Sequence, residues 1–501
     1  MEFVLLFSVA VIATCGLVYE LIAGALASYL LGDSITQFSL IIGIYLFSMG
    51  IGSWLSKFPK KNLINLFIQV ELLIGLIGGC SAAILFMSFN YVESFKIILY
   101  SFVVLTGILV GLEIPLLMRI LKDRYKFEDL ISRVFAIDYI GALIASILFP
   151  LVLVPYLGLI RSAFLFGIFN IVVGIWALFI FKEEVPWNKS LRGTALCLLL
   201  LLTTGFIYSN KIQRWSETAT YPDPIVYSET SKYQRIILTS GGKDLRLFLN
   251  GNLQFSSKDE YRYHEALVHP GLASIPQAKR VLILGGGDGL ALREVLTYPK
   301  VKEVLLVDLD PAMTRLFTKH AELKKLNKNS LTSEKVKVIN QDAFVWARDY
   351  LKNGGEKFDY IAIDFPDPSN YSLGKLYSTS FFSLAKNLLD KNGVLSIQST
   401  SPYFARKAFW CVGNTLEAVG LKTIPYNAYV PSFGIWGYYL AHHGNFKMTK
   451  NFNSKLRYIN TKTVDAMLTF PSDMAHVKTD INQLNNQALV RYFENEWSQV
   501  N

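Results

Sequence analysis

Five aspartates of this 501-residue chain fall where apolar strands give way to helices or turns. Asp288 follows three glycines in VLILGGGDGLALREVL, Asp308 closes LLVD, and Asp342 lies in NQDAF. Asp364 and Asp367 bracket a proline in IAIDFPDPSN. Glycines such as Gly285 and Gly287 between a strand and a helix let a ligand approach the backbone and the helix N-terminus. An acid roughly twenty residues further on, at the next strand end, accepts from both ribose hydroxyls, and Asp308 has that place. Asp342, after the third strand, is placed to accept from an adenine amino group. A glycine loop and acids at successive strand ends point to an adenosine-type ligand. Asp364 and Asp367 add a pair able to bind an ammonium and take its proton, leaving a neutral amine nucleophile. The bland reading of that pair is a solvated Asp- and Pro-rich turn. Asp288 bears on which ligand is held. An acid there repels the carboxylate of S-adenosylmethionine and attracts the ammonium that alone remains in the decarboxylated form. Aminopropyl transfer is therefore favoured over methyl transfer, although both ligands carry an amino group.

The elements that position these acids alternate regularly. Strands are expected at 281–284, 304–308, 336–340, 360–364 and 394–398, with amphipathic helices between them. That alternation implies a parallel sheet covered on both faces, with ligands at the carboxyl ends of its strands. Before it, residues 225–255 read as short strands with a turn at Asn250–Gly251.

The first part of the chain has another character. Hydrophobic residues make up 52% of the whole and charged residues 18%, and the apolar ones are concentrated before residue 210. Seven spans are expected, near 3–31, 36–56, 64–89, 97–120, 134–154, 162–181 and 192–209, each close to the ~20 residues that cross a bilayer. Lys57, Lys60 and Lys61, then Arg119, Lys122, Arg124, Lys126 and Arg133, then Lys182, Lys189 and Arg192 lie in alternate loops. The opposite loops hold Lys96 and Arg161. Loop charge thus favours a cytoplasmic N-terminus in a multi-pass protein of a bacterial-type cell membrane, and an odd number of spans then puts the C-terminal half outside. Gaining or losing one span reverses that result. The same placement accounts for the net charge of +10 without nucleic acid. The N-terminus lacks a basic lead and reads as a first span rather than a cleaved signal. Glu20, Glu71, Glu113 and Asp138 fall inside spans, where acids line a cation path or bond to neighbouring helices. Cys15, Cys80, Cys197 and Cys411 form no CxxC pair, which argues against a zinc site or disulfide framework.

The GGGDG run, with Gln234 and NGNLQFSSKDEYRYHE upstream and the Asp364–Asp367 pair downstream, resembles spermidine synthases over about 225–442, and the whole chain resembles their membrane-fused members. The resemblance implies a membrane helical domain (1–210), a strand-rich subdomain (211–274), a methyltransferase-like Rossmann domain (275–442) and a C-terminal extension (443–501). It implies that Gln234, Gln254, Gly285, Gly287, Asp288, Asp308 and Asp342 hold decarboxylated S-adenosylmethionine as co-substrate. Asp364 would be the general base, with Tyr263, His264 and Asp367 around the amine and no metal taking part. Read without the family, Tyr263 and His264 are equally a packed helix face and Gln254 a turn residue. Phe365 and Pro366 stand where many soluble members have small hydroxyl residues, which leaves the acceptor open among putrescine, longer polyamines and other amines. The partners implied are small-molecule amine and nucleoside substrates and the lipid bilayer; dimerisation through the catalytic region is an expectation of the resemblance alone. Two other readings stand beside this one. The chain is an S-adenosylmethionine-dependent methyltransferase, or a polyamine transporter or sensor whose second half binds nucleoside without catalysis.

Overall fold

The computed structural model describes residues 2–31, 34–89, 95–122, 127–182, 189–444, 446–452 and 455–499. Arg124 and Lys126 of the cationic loops lie outside the described residues. The chain divides into two compact units, Met1–Pro224 and Ile225–Asn501.

The first unit is helical: α1 (Glu2–Leu31), α2 (Ser34–Leu55), α3 (Leu63–Phe89), α4 (Phe95–Leu121), α5 (Phe127–Leu148), α6 (Gly158–Ile180) and α7 (Lys189–Thr220). A π-helical segment, Phe149–Leu157, joins α5 to α6. Helices thus stand at every stretch expected to span. Two of those stretches belong to one run, Glu128–Ile180, so six stretches among the described residues are long and apolar enough to cross a bilayer. The outer surface remains apolar, with Phe47 71% and Leu143 60% exposed, as lipid-facing side chains would be.

Helices α2 and α4 meet almost backbone to backbone. A methyl at Gly52 would stand 2.0 Å from the Ile108 carbonyl oxygen, and one at Gly111 would stand 2.1 Å from that of Met49. Small residues permit such approach, which matters where lipid removes most of the hydrophobic drive for helix association. Polar side chains also join helices. Tyr19 donates to Asn170 Oδ1 at 2.9 Å, and Asn170 Nδ2 donates to Glu71 Oε2 at 2.9 Å. The Tyr45 hydroxyl donates to the Gly16 carbonyl at 2.8 Å.

The second unit opens with an antiparallel sheet, β1 (Ile225–Thr230), β2 (Arg235–Gly241), β3 (Asp244–Leu249) and β4 (Asn252–Ser256), paired in that order. The β3–β4 turn is the expected Asn250–Gly251, with φ of 49° and 84°. Positive φ at both centres is the hairpin geometry that asparagine and glycine tolerate. Helix α8 (Glu260–Leu272) follows. Next come β5 (Arg280–Gly285), α9 (Leu290–Val295), β6 (Glu303–Asp308), β7 (Val336–Asn340), β8 (Phe358–Asp364) and β9 (Leu389–Gln398), then β10 (Lys422–Val430) and β11 (Gly434–His442). They form one seven-stranded sheet ordered β10-β11-β9-β8-β5-β6-β7. β5 to β9 are parallel, at all five expected strands, and the β10–β11 hairpin adds antiparallel to β9. After β5 the chain adds β6 and β7 on one side and β8 and β9 on the other. The crevice above β5 is therefore the topological switch point, where open sheets of this kind bind ligands.

Candidate active site

The glycine loop has its form because two aspartates crowd it, one by its backbone and one by its carboxyl group. Gly285 pairs in register with Asp364 and has φ of 83°; a methyl there would lie 2.1 Å from the Asp364 carbonyl oxygen. A methyl at Gly287 would strike the Asp308 carboxyl group at 2.6 Å. The close packing lets the Gly287 N–H donate to Asp308 Oδ2 at 3.0 Å, while Asp308 Oδ1 accepts from the Asp310 N–H at 2.9 Å. Each oxygen keeps a further lone pair for a ligand hydroxyl. Burial pushes the Asp308 carboxyl up to about 6, with those two N–H donors drawing it back.

Asp288 follows directly, turning Oδ1 to the Leu290 N–H at 2.8 Å at the start of α9. Burial carries its carboxyl up to about 6; His264 draws it down and Asp364 pushes it up. Asp364, at the end of β8, accepts from the Tyr263 hydroxyl at 2.7 Å. Burial raises Asp364 above the usual carboxylate range, against the pull of His264 and Tyr263. Asp367 has a buried Oδ1 without a hydrogen-bond partner, and burial pushes it up to about 7 despite Gln398 and Thr400 nearby. Tyr263 has aromatic neighbours in Phe433 and Tyr438, with ring centroids 6.1 and 5.6 Å away.

His264 is gripped from behind. Its Nδ1 lies 2.8 Å from both the Glu260 carbonyl and Glu260 Oε2. Burial works against an imidazolium, but the Glu260 carboxylate outweighs it and lifts the pKa to about 9. Glu260 is held in turn by a two-pronged Arg293, both bonds at 2.9 Å. Arg293 Nε donates to Glu294 at 2.8 Å, and Glu294 meets His269 at 3.1 Å.

Other expected residues sit further out. Asp342 caps the helix Ala343–Lys352 through Oδ1 and receives Lys375 Nζ on Oδ2 at 2.7 Å. Burial would raise its carboxyl, but the ammonium of Lys375 holds it low. Gln234 donates to Asp310 Oδ2 at 3.0 Å, in the loop after β6. Gln254 stays local, its Nε2 donating to the Asn252 carbonyl at 3.2 Å. Thus Asp288, Asp364, Tyr263 and His264 are brought together, Asp308 adjoins them through the glycine loop, and Gln254 is not drawn in.

Sequence reasoning missed the groups that hold these residues. Gln398 donates to the Phe365 carbonyl and, at 2.8 Å, to the Tyr377 hydroxyl, and it accepts from Trp436 Nε1 at 3.1 Å. The turn between Asp364 and Asp367 is thereby pinned from β9 and β11. A glutamine at the carboxyl end of β9 was the available signal.

A parallel sheet with acids on a glycine loop and at successive strand ends, here following a unit of apolar helices, is the arrangement of a nucleotide-binding α/β fold. A family model described as "Spermine/spermidine synthase domain" matches residues 260–452. The chain is 52% identical over 500 residues to a polyamine aminopropyltransferase of Leptospira interrogans, covering 100% of both. It is 50% identical over 505 residues to polyamine aminopropyltransferase 2 of Ralstonia nicotianae, covering 99% of this chain and 98% of the relative. A crystal structure of spermidine synthase from Thermotoga maritima is similar at 26% identity and a TM-score of 0.45, over 49% of this chain and 84% of that one. The chain belongs to the spermine/spermidine synthase family as a polyamine aminopropyltransferase, and it is a transferase.

Proposed function

We propose that the chain transfers the aminopropyl group of decarboxylated S-adenosylmethionine to a primary amine of the putrescine type, giving spermidine or a related polyamine and methylthioadenosine. The observation that carries this reading is the Tyr263–Asp364 hydrogen bond beside the glycine loop that leads to Asp288, where a methyl on Gly286 would lie 3.3 Å from Asp364 Oδ2. Asp308 takes the ribose hydroxyls, Asp342 the adenine amino group, and Gln234 closes the nucleoside side from the small sheet. Asp288 faces the donor's ammonium. Asp367, with a buried oxygen unpartnered, takes the far end of the acceptor.

In the reaction Asp364 accepts a proton from the attacking ammonium. The freed nitrogen lone pair forms the N–C bond to the carbon beside the sulfonium. The C–S bond breaks, its electron pair stays on sulfur, and neutral methylthioadenosine leaves. Burial holds Asp364 above the ordinary carboxylate range, which brings its basicity closer to that of the amine it serves. Tyr263 keeps the carboxylate aimed. Asp364→Asn is expected to abolish turnover while methylthioadenosine still binds; undiminished turnover removes Asp364 from this role.

The run Glu128–Ile180 has 53 residues, about 80 Å of helix against a hydrocarbon core of about 30 Å. At Gly158 φ is 74° and ψ 171°, outside helical geometry. The run accordingly crosses twice, which makes seven spans and puts Gly158 on the face opposite Lys60. Single cysteines at Lys60 and Lys182, in a variant stripped of native cysteines, should label from the same side of a sealed vesicle. Labelling from opposite sides means a single crossing.

A further inference from the structure

The segment Tyr371–Tyr377 lies between the Asp364–Asp367 turn and the helix Thr379–Leu388, and it touches both halves of the site. Lys375 reaches Asp342 at 2.7 Å on the nucleoside side. The Tyr377 hydroxyl meets the Phe365 and Pro366 carbonyls at 3.3 and 3.2 Å on the amine side. What holds the segment from outside comes from beyond residue 452, where the family match ends.

That outside support centres on Asn482, which is 0% exposed and uses all of its polar groups. Its Nδ2 donates to the Gly374 carbonyl at 2.9 Å, and its carbonyl accepts from the Thr379 N–H at 2.9 Å. Its own N–H donates to Thr415 Oγ1 at 3.0 Å, and its Oδ1 accepts from the Leu489 N–H at 3.3 Å. One residue therefore ties the segment to two helices, its backbone N–H to Arg406–Ala418 and its side chain to Ala488–Trp497. The second helix is fixed independently, because Glu496 accepts from the Lys407 and Ala408 N–H groups at 2.8 and 3.1 Å. The fit at Gly374 is close as well: a methyl there would lie 2.4 Å from Val490 Cγ2 and 2.7 Å from Gln487 Oε1.

We propose that Asn482 is a positioning residue for aminopropyl transfer, and that the C-terminal extension serves as a fixed strut for the segment enclosing both substrates. The site assignment above supplies the reaction; the strut itself stands on the contacts of Asn482 and Gly374. With the strut in place, Lys375 and Tyr377 are set at once, so nucleoside and amine meet an already shaped cover. Losing the amide donor leaves the Gly374 carbonyl buried without its partner, and a buried polar group left unsatisfied favours opening of the segment.

The test uses the full chain in detergent, with Asn482→Asp, which keeps size and the Oδ1 acceptor but loses the donor, and Gly374→Ala, which presses from the other side. Amide exchange at 371–377 is expected to speed up about ten-fold or more in both, and the KM for the amine to rise by a similar factor. Thermal unfolding should shift far less than exchange does. Val490→Ala added to Gly374→Ala should restore both readouts by making room for the methyl. Unchanged exchange and KM in both variants overturn the proposal. So does a loss of activity that merely follows the folded fraction with no change in KM, or a failure of Val490→Ala to rescue. Exchange at 371–377 reads the strut without reference to turnover. If the intact chain produced no polyamine, the site assignment would fall while this arm still decided the strut.

Discussion

Replacing Tyr263 by phenylalanine removes one hydroxyl and little else. Its ring keeps Phe433 and Tyr438 as neighbours, while Asp364 loses a donor at 2.7 Å. A hydrogen bond to a charged group in such a setting contributes about 1.5–3 kcal/mol. The bond stabilises the ionised carboxylate, so its loss raises an Asp364 pKa that burial already holds high. The base must be ionised to accept a proton, and each 1.36 kcal/mol corresponds to about ten-fold in the population of that form. On the acid limb of the pH profile, kcat/KM should therefore fall about ten- to a hundred-fold in Tyr263→Phe. On the alkaline plateau, where Asp364 is ionised in both proteins, the difference should shrink to a few-fold. The assay is methylthioadenosine release measured from mildly acidic to alkaline pH, at saturating and limiting amine. An equal loss at every pH, or no loss on the acid limb, refutes the reasoning.

Four further outcomes can be measured. Asp288→Asn should weaken decarboxylated S-adenosylmethionine about ten-fold and narrow its advantage over the carboxylated form, measured calorimetrically. Because burial lifts the Asp288 carboxyl to about 6, it is ionised at neutral pH and takes up its proton as pH falls through that value. The donor KM of the unaltered protein should accordingly rise below about pH 6, and Asp288→Asn should reduce that rise, leaving the part contributed by Asp308, which burial also lifts to about 6. Arg293→Met strips Glu260 of its two-pronged partner in a buried pair, and breaking such a pair destabilises by about 3–5 kcal/mol, readable as a lowered Tm in detergent. Gly111→Ala presses on the Met49 backbone and should destabilise the helical unit by about 1–3 kcal/mol, while Gly50→Ala, with nothing within 4 Å, should be neutral.

The parallel strands were legible because each contains a short, largely apolar run, and two of them end in the proposed site acids Asp308 and Asp364. The Asn250–Gly251 turn was legible for a local reason, the positive φ that this pair accepts. The β10–β11 hairpin was not, because Pro425, Pro431 and closely spaced glycines interrupt the alternation that marks a strand. Nor were the supports of the site. Glu260 and Arg293 are 33 positions apart, Gln398 and Trp436 are 38 apart, and Asn482 is 108 from Gly374. No periodicity joins such pairs; only the fold does. The membrane helices were legible one by one from hydropathy. The expected spans 134–154 and 162–181 fall on either side of Gly158, whose φ of 74° and ψ of 171° leave helical geometry.

The most direct test of the account mixes the full chain in detergent with decarboxylated S-adenosylmethionine and putrescine, beside Asp364→Asn, and follows both products by mass spectrometry. The account predicts equimolar methylthioadenosine and spermidine from the unaltered protein, and neither from Asp364→Asn although that variant still binds methylthioadenosine. Methylated amine in place of spermidine, or equal product from both proteins, would contradict it.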